Sequence, residues 1–290
     1  MDRLLRIFTT VVEKENLTRA AEKLFITQSA VSQNIRLLEE KFNTKLLERN
    51  NKSVKLTKTG EILYFHARQI INQYSLAERL IDEMQNGISG PLNIGSGFTF
   101  GEYLLPDLIS QLITEYPKIT PKITIKNSYR IANQVKQKDL DIGIIEREIS
   151  DDSIITIPFS EDDMVVIVPV DFSNNNGEEV SIGDLSDKTW IIRESGSGTR
   201  QVTDIMMDHT KLKPASVLEF GSTQLIKETV KKGIGVSYVS KSTVQEEIQK
   251  GTLKSVDIKN YRDTRRFYYV INKLQPSTKT VEVFIKMLLQ

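Results

Sequence analysis

The 290-residue chain contains no cysteine. That excludes a disulfide framework, a thiol nucleophile and any cysteine-ligated metal or iron–sulfur centre. Its only histidines are His66 and His209, too few for a histidine-rich metal centre. No apolar run approaches the roughly 20 residues that cross a bilayer. The first residues carry acids at Asp2, Glu13 and Glu15 and have no apolar centre of signal-peptide length. A cytoplasmic protein with no membrane partner is the expectation. What is present is 39% hydrophobic residues, enough for sizeable cores, on a chain long enough for two or three compact units.

The net charge of +1 conceals an asymmetry. Residues 1–60 hold 12 Lys and Arg against 7 Asp and Glu, whereas residues 61–290 hold 27 against 31. A basic head on a mildly acidic body suggests that the head meets a polyanion.

Three regimes follow one another. Residues 1–58 have helical patterning with short polar breaks. Residues 59–87 form one helical pattern without proline or interior glycine, ending at Gly87 before Gly90-Pro91. From Leu92 onward short β-rich runs alternate with helical stretches: 92–98, 123–127, 140–145, 164–169, 190–192 and 235–239. A late strand is expected at 267–271 and a final helix at 276–289. The alternation reads as α/β with largely parallel sheets. Residues 173–179, SNNNGEE, read as a polar loop. In the long helix Leu63, Ala67, Ile70, Tyr74, Ala77, Ile81 and Met84 keep a 3-4 spacing over three heptads. Such a seam packs either on a second copy or on its own domain. The absence of breakers favours the second copy.

In the head, Leu17-Thr18 precedes a helix whose Ala20, Ala21 and Leu24 share a face. Thr27 is placed to cap the next helix, and Val31, Ile35 and Leu38 mark its buried stripe. Ser29, Ser32, Gln33 and Arg36 fall between about 100° and 200° from Val31 on the helical wheel. Short hydrogen-bonding side chains with one guanidinium suit base edges in the major groove, and Gln28 sits at the end that enters it. Leu46-Leu47 and Val54–Thr57 flank a polar turn, a small hairpin carrying Arg49, Lys52 and Lys55 for phosphates or the minor groove.

Residues 20–60, AAEKLFITQSAVSQNIRLLEEKFNTKLLERNNKSVKLTKTG, resemble the winged helix-turn-helix of LysR-type transcriptional regulators. Ala20-Ala21, Leu24, Ser29–Ser32, Ile35, Leu38-Glu39, Leu46-Leu47, Arg49, Leu56-Thr57 and Thr59-Gly60 stand where that pattern places them. Ser29 departs from the proline many members carry. The resemblance extends over the whole chain. Through GFTFGEYLLP (97–106), RESGSGTR (193–200) and 221–239 it looks closest to the branch of sulfur-assimilation and carbon-fixation regulators.

The resemblance implies a winged helix-turn-helix over 1–58 with Thr18, Gln28, Ser29, Ser32, Gln33, Arg36, Arg49 and Lys52 at double-stranded promoter DNA. It implies a linker and dimerisation helix over 59–87, and an α/β effector domain of two Rossmann-like lobes over 92–290. The first lobe would take 92–161 and 267–290, the second 162–266. A homodimer or homotetramer follows. Between the lobes, two glycine-rich turns suit a small anion. One holds Ser96, Thr99, Phe100 and Gly101, the other Ser197, Thr199 and Arg200. By resemblance Ser128 and Arg147 face the same cleft. Arg147 has the alternative of pairing with Glu146, Glu148 or Asp151, and Ser222-Thr223 of merely capping a helix.

Two other readings compete. A solute-binding protein on these lobes predicts a secretion signal and no basic head. An enzyme needs a nucleophile–base pair or a metal cluster, and nothing pairs the carboxylates Asp141, Glu146 and Glu161. SGSGTR also lacks the GxxxxGK[ST] phosphate loop. No catalytic residue, metal or cofactor is expected.

Overall fold

The computed structural model describes residues 2–50, 53–172 and 179–290. Backbone contacts divide the chain into two compact units, 1–85 and 86–290.

The first unit is α1 (Asp2–Lys14), α2 (Leu17–Leu24), α3 (Gln28–Phe42), a hairpin of β1 (Leu47–Asn50) and β2 (Ser53–Leu56), and α4 (Lys58–Asn86). Its core gathers Phe8 and Val11, the close-packing Ala20 and Ala21, the stripe Val31/Ile35/Leu38, and Leu46. Helix α2 begins at Leu17 itself and takes in both Leu17 and Thr18, which the sequence pattern places before it. Asn16 Oδ1 accepts the N–H groups of Thr18 and Arg19 at 2.8 and 3.0 Å, which makes Asn16 the cap. Thr27 caps α3, taking the Ala30 N–H at 3.2 Å.

The wing is tied to α3 by one buried carboxylate. Glu39 Oε1 accepts from the N–H groups of Leu46 and Leu47 at 3.0 and 3.4 Å, and Oε2 accepts from Lys45 Nζ at 2.8 Å. At the wing's far end Thr57 Oγ1 accepts the Gly60 N–H at 2.9 Å and donates to Lys45 O at 2.7 Å. A side chain on Gly60 would collide with the Leu46 carbonyl, so the start of α4 tolerates only glycine. Leu63 and Ala67 pack into the head core, Ala67 completely. The expected seven-residue seam is corrected accordingly: its first two members serve the head. Ile70, Tyr74, Ile81 and Met84 stay at least half exposed.

The second unit runs β3 (Gly90–Ser96), α5 (Phe98–Tyr103), α6 (Leu105–Glu115), β4 (Ile119–Ile125), α7 (Ser128–Lys136), β5 (Ile142–Ile145), β6 (Ile154–Val168), β7 (Glu179–Val180), α8 (Ile182–Ser186), β8 (Thr189–Arg193), α9 (Gly198–Thr210), β9 (Ser216–Phe220), α10 (Thr223–Lys231), β10 (Ser237–Ser240), a 3-10 turn (Lys241–Thr243), α11 (Gln245–Gln249), β11 (Lys254–Ile258), β12 (Thr264–Asn272) and α12 (Lys279–Leu288). Strands β4, β3 and β5 are parallel, as are β8 and β9. The expectation of largely parallel sheets fails between them. β12 runs antiparallel to β5 and β6, and β6 antiparallel to β10 and β11.

Strand β6 has 15 residues against the six expected at 164–169, because it passes through two cores. Its first half reaches a core of Leu92, Ile94, Phe100, Ile142, Ile144, Phe267 and Phe284. Its second half supplies Met164, Val166 and Val168 to a core around the fully buried Trp190. Those two cores define two lobes. Phe98 belongs to α5 and not to the preceding strand, and the last helix starts three residues late, after its cap Thr278. The sequence pattern predicts none of β7, β9 and β11; Glu179, expected in the polar loop, opens β7, and residues 173–178 of that loop lie outside the described residues.

Burial pushes the Glu39 carboxyl up, but the Lys45 bond and the two backbone N–H groups outweigh it and hold it below the usual glutamate value. A depressed folded-state pKa contributes stability above the unfolded value and loses it as pH falls through the folded one. Glu39→Ala therefore lowers the head's stability by about 2 kcal/mol at neutral pH, the range for hydrogen bonds to a charged group. The amides of Leu46 and Leu47 should exchange faster in the variant, and the wild-type advantage should vanish in acid. Equal exchange at pH 7 would show that the wing is held without Glu39.

Candidate functional sites

On the head, Gln28, Ser29, Gln33 and Arg36 are exposed and Ser32 half-buried, on the α3 face opposite the Val31/Ile35/Leu38 stripe. Ser32, Gln33, Arg36, Glu39, Lys45 and Leu47 line a recess of about 520 Å³ between α3 and the start of the wing. Arg36 Nε donates to Glu40 Oε1 at 2.9 Å, one turn along the same helix. Such an exposed pair is weak, so the guanidinium is readily released. Gln28 Nε2 donates to Ser32 Oγ at 3.3 Å. Thr18 is exposed in the first turn of α2. Arg49 lies on β1 through its backbone, Lys55 pairs across the hairpin with Glu48, and Lys52 lies outside the described residues.

The second site is where the two lobes meet, and sequence reasoning missed its central residue. Arg265 on β12 is buried, and its guanidinium serves three acceptors. Nε donates to Asp162 Oδ2 at 2.7 Å, a terminal nitrogen to Thr199 Oγ1 at 2.8 Å, and the other to Thr99 Oγ1 at 2.9 Å. Asp162 also accepts from Ser240 Oγ at 2.6 Å. Thr99 and Thr199, from turns 100 positions apart, are thus brought together on one cation. Neither hydroxyl donates to an acceptor among the described residues, so both hydrogens are uncommitted. Further contacts cross the cleft. Arg193 stacks 4.6 Å from the Phe98 ring centroid, Lys227 lies 4.8 Å from that of Tyr103, and Tyr129 N donates to Gly196 O at 3.3 Å.

The other candidates divide. Ser96 and Ser197 are buried, each with a hydroxyl that has no partner among the described residues. Ser128 Oγ is engaged by the Glu146 N–H at 3.2 Å. Phe100 stacks edge-on against Phe159 and Phe267 in the first core, so its place is in packing and not in the cleft. Gly101 gives Ser96 and Ile125 room to approach.

Arg200, one of the expected anion ligands, is engaged by nearby carboxylates. Its Nε binds Asp204 at 2.9 Å, and a terminal nitrogen binds Glu219 Oε2 at 2.7 Å and Arg193 O at 3.0 Å. Arg147 pairs with none of the three acids proposed for it, and its Nε is buried without a partner. Of those acids, Asp151 pairs with Lys136. Ser222 caps α10 through the Leu225 N–H, while Thr223 Oγ1 accepts from Arg193 at 3.0 Å. Glu194, beside them, is pushed up by burial, but Arg193 more than reverses this and holds it below the usual range. Among the described residues no cluster of ligating side chains suits a metal, and no helix is long and apolar enough to cross a membrane.

Residues 3–61 match the model of the bacterial regulatory helix-turn-helix protein, lysR family, and residues 85–290 that of the LysR substrate binding domain. The chain is 36% identical over 285 residues to the HTH-type transcriptional regulator CysL of Bacillus subtilis (strain 168), covering 98% of this chain and 95% of that one. It is 28% identical to a probable RuBisCO transcriptional regulator of Synechocystis sp., covering 98% and 84%. Full-length CbnR complexed with its target DNA shares the fold, with a TM-score of 0.75 at 19% identity over 99% and 98% of the two chains. The regulatory domain of Synechocystis CcmR in complex with 2-PG matches 69% of this chain and 96% of that one, with a TM-score of 0.64 at 26% identity. With a helix-turn-helix and wing in its first unit and a two-lobed α/β domain in its second, the chain belongs to the LysR family of DNA-binding transcriptional regulators and is not an enzyme.

Proposed function

We propose that this regulator binds promoter DNA in the cytoplasm as a homodimer or homotetramer and is switched by a small anionic effector held between the lobes. Residues 1–58 form the DNA-binding head and 59–87 the dimerisation helix. The effector domain is 92–290, with one lobe of 92–161 and 267–290 and another of 162–266. The observation that carries the anion reading is the shared Arg265 guanidinium. A hydroxyl that accepts from a cation is polarised, and donates its own hydrogen more strongly to an acceptor in front of it. Thr99 and Thr199 offer two such hydrogens from opposite walls of one cleft. The similar regulatory domain of CcmR is in complex with 2-PG, which supports a ligand-binding role for this domain. A thermal-shift screen of sulfur metabolites, phosphorylated sugars and carboxylates tests the reading, since an effector raises the melting temperature by mass action.

Three outcomes are expected. Thr99→Val or Thr199→Val should reduce the effector's thermal shift while leaving DNA affinity without effector unchanged; a full shift in both variants would remove the hydroxyls from the site. Gln33→Ala and Arg36→Ala should each weaken binding to the cognate promoter by about 1–3 kcal/mol at matched salt, the worth of a lost base contact. Unchanged affinity in a gel shift would place the reading face elsewhere. Ile70→Glu or Ile81→Glu should lower the mass seen by light scattering, because each sets a charge in the exposed stripe of α4. Wild-type mass in both would mean that α4 does not pair two chains.

A further inference from the structure

The cleft already holds a carboxyl group, and it is the chain's own. Glu146 closes the apolar strand β5 and is 2% exposed. Its Oε1 accepts the Thr99 N–H at 2.8 Å. A Cβ on Gly97 would stand 2.5 Å from that oxygen, and one on Gly198 2.6 Å from the Glu146 Cβ. Two glycines, one from each lobe, therefore make the slot into which this side chain fits. Ser128 Oγ holds the Glu146 N–H from behind. The buried cations of the cleft are each committed to another acid: Arg193 to Glu194, Lys227 to Glu247 and Arg265 to Asp162. Glu146 has no ion pair among the described residues, and it touches the same threonine whose hydroxyl lies on Arg265.

We infer that Glu146 is an internal anion: in the ligand-free protein its carboxylate occupies the effector's anion position, and an effector binds by displacing it. This rests on the anion reading above. A tethered carboxylate competes at an effective concentration of about millimolar or more. A free monocarboxylate offers the same charge and the same two oxygens, so it has no means of winning. A tetrahedral oxyanion, sulfate or phosphate, free or carried on a small molecule, has oxygens enough for the Thr99 N–H and both threonine hydroxyls together. Glu146 is thereby a specificity-determining residue that selects tetrahedral oxyanions over simple carboxylates.

The test is calorimetric titration of the full-length protein and of Glu146→Gln with sodium sulfate, sodium phosphate and sodium acetate at constant ionic strength. Gln keeps the shape and the oxygen facing Thr99 but not the charge. Sulfate or phosphate should bind the variant about tenfold tighter than wild type, and acetate, silent on wild type, should become measurable. Binding to wild type that the substitution leaves equal or weakens overturns the inference and leaves the anion reading standing. No binding of any anion to either protein overturns both. Should the variant not fold, a crystal structure of the wild type grown with sulfate decides. A sulfate oxygen on the Thr99 N–H with Glu146 turned away supports the displacement. Sulfate bound beside an unmoved Glu146, or no sulfate in the cleft, refutes it.

Discussion

The second unit is organised around one buried guanidinium. Arg265 lies on β12 directly across from Asp162 on β6, in the stretch where β6 passes from one core to the other. Isolated burial of a charge is prohibitively costly, and removing one partner of a buried pair typically costs about 3–5 kcal/mol. The arrangement is tolerable because the register sets Asp162 opposite and because both lobes supply an additional acceptor. The turn before α5 and the turn before α9 are consequently held at fixed distances from the same group. The cleft exists because its floor is a cation that needs oxygen atoms from both walls.

The head was largely legible in the sequence, because its determinants are local. The cap Thr27, the three-residue stripe of α3 and the paired alanines of α2 all act within one or two helical turns. What was not legible is Glu39. In sequence it reads as one more polar residue of α3, and its value comes from amides seven and eight residues away. The long-helix seam was half legible: its spacing was correct, but spacing does not say which members the head claims for its own core.

The cleft was less legible, for the converse reason. Arg265 meets its partners across 66, 103 and 166 positions of chain, where no local pattern operates. A signal was nonetheless present. Along β12, Arg265, Phe267 and Tyr269 share a parity, and an arginine in phase with two core aromatics is a buried cation seeking an anion. Arg200 attracted notice because it follows a glycine-rich loop. Yet Asp204 stands one helical turn along and Glu219 on the adjacent strand, so its charge is already answered. In sequence Glu146 is a carboxylate that no second acid pairs and that neighbours Arg147; its partner in the fold is the Thr99 N–H, in the very turn proposed for an external anion.

The same bonds set how firmly the lobes are shut. Parting them leaves Arg265 on Asp162, since those two sit on paired strands of one sheet. What breaks are its bond to Thr99, the Tyr129–Gly196 backbone bond and the ring contacts of Phe98 and Tyr103. A hydrogen bond exchanged for water is worth about 1 kcal/mol net, and a cation–π contact about 1–2 kcal/mol. Closure is therefore favoured by only a few such terms, within reach of the differential affinity of a small ligand. The charges that cost most to bury stay paired in both arrangements, so what an effector must supply is the modest difference between them.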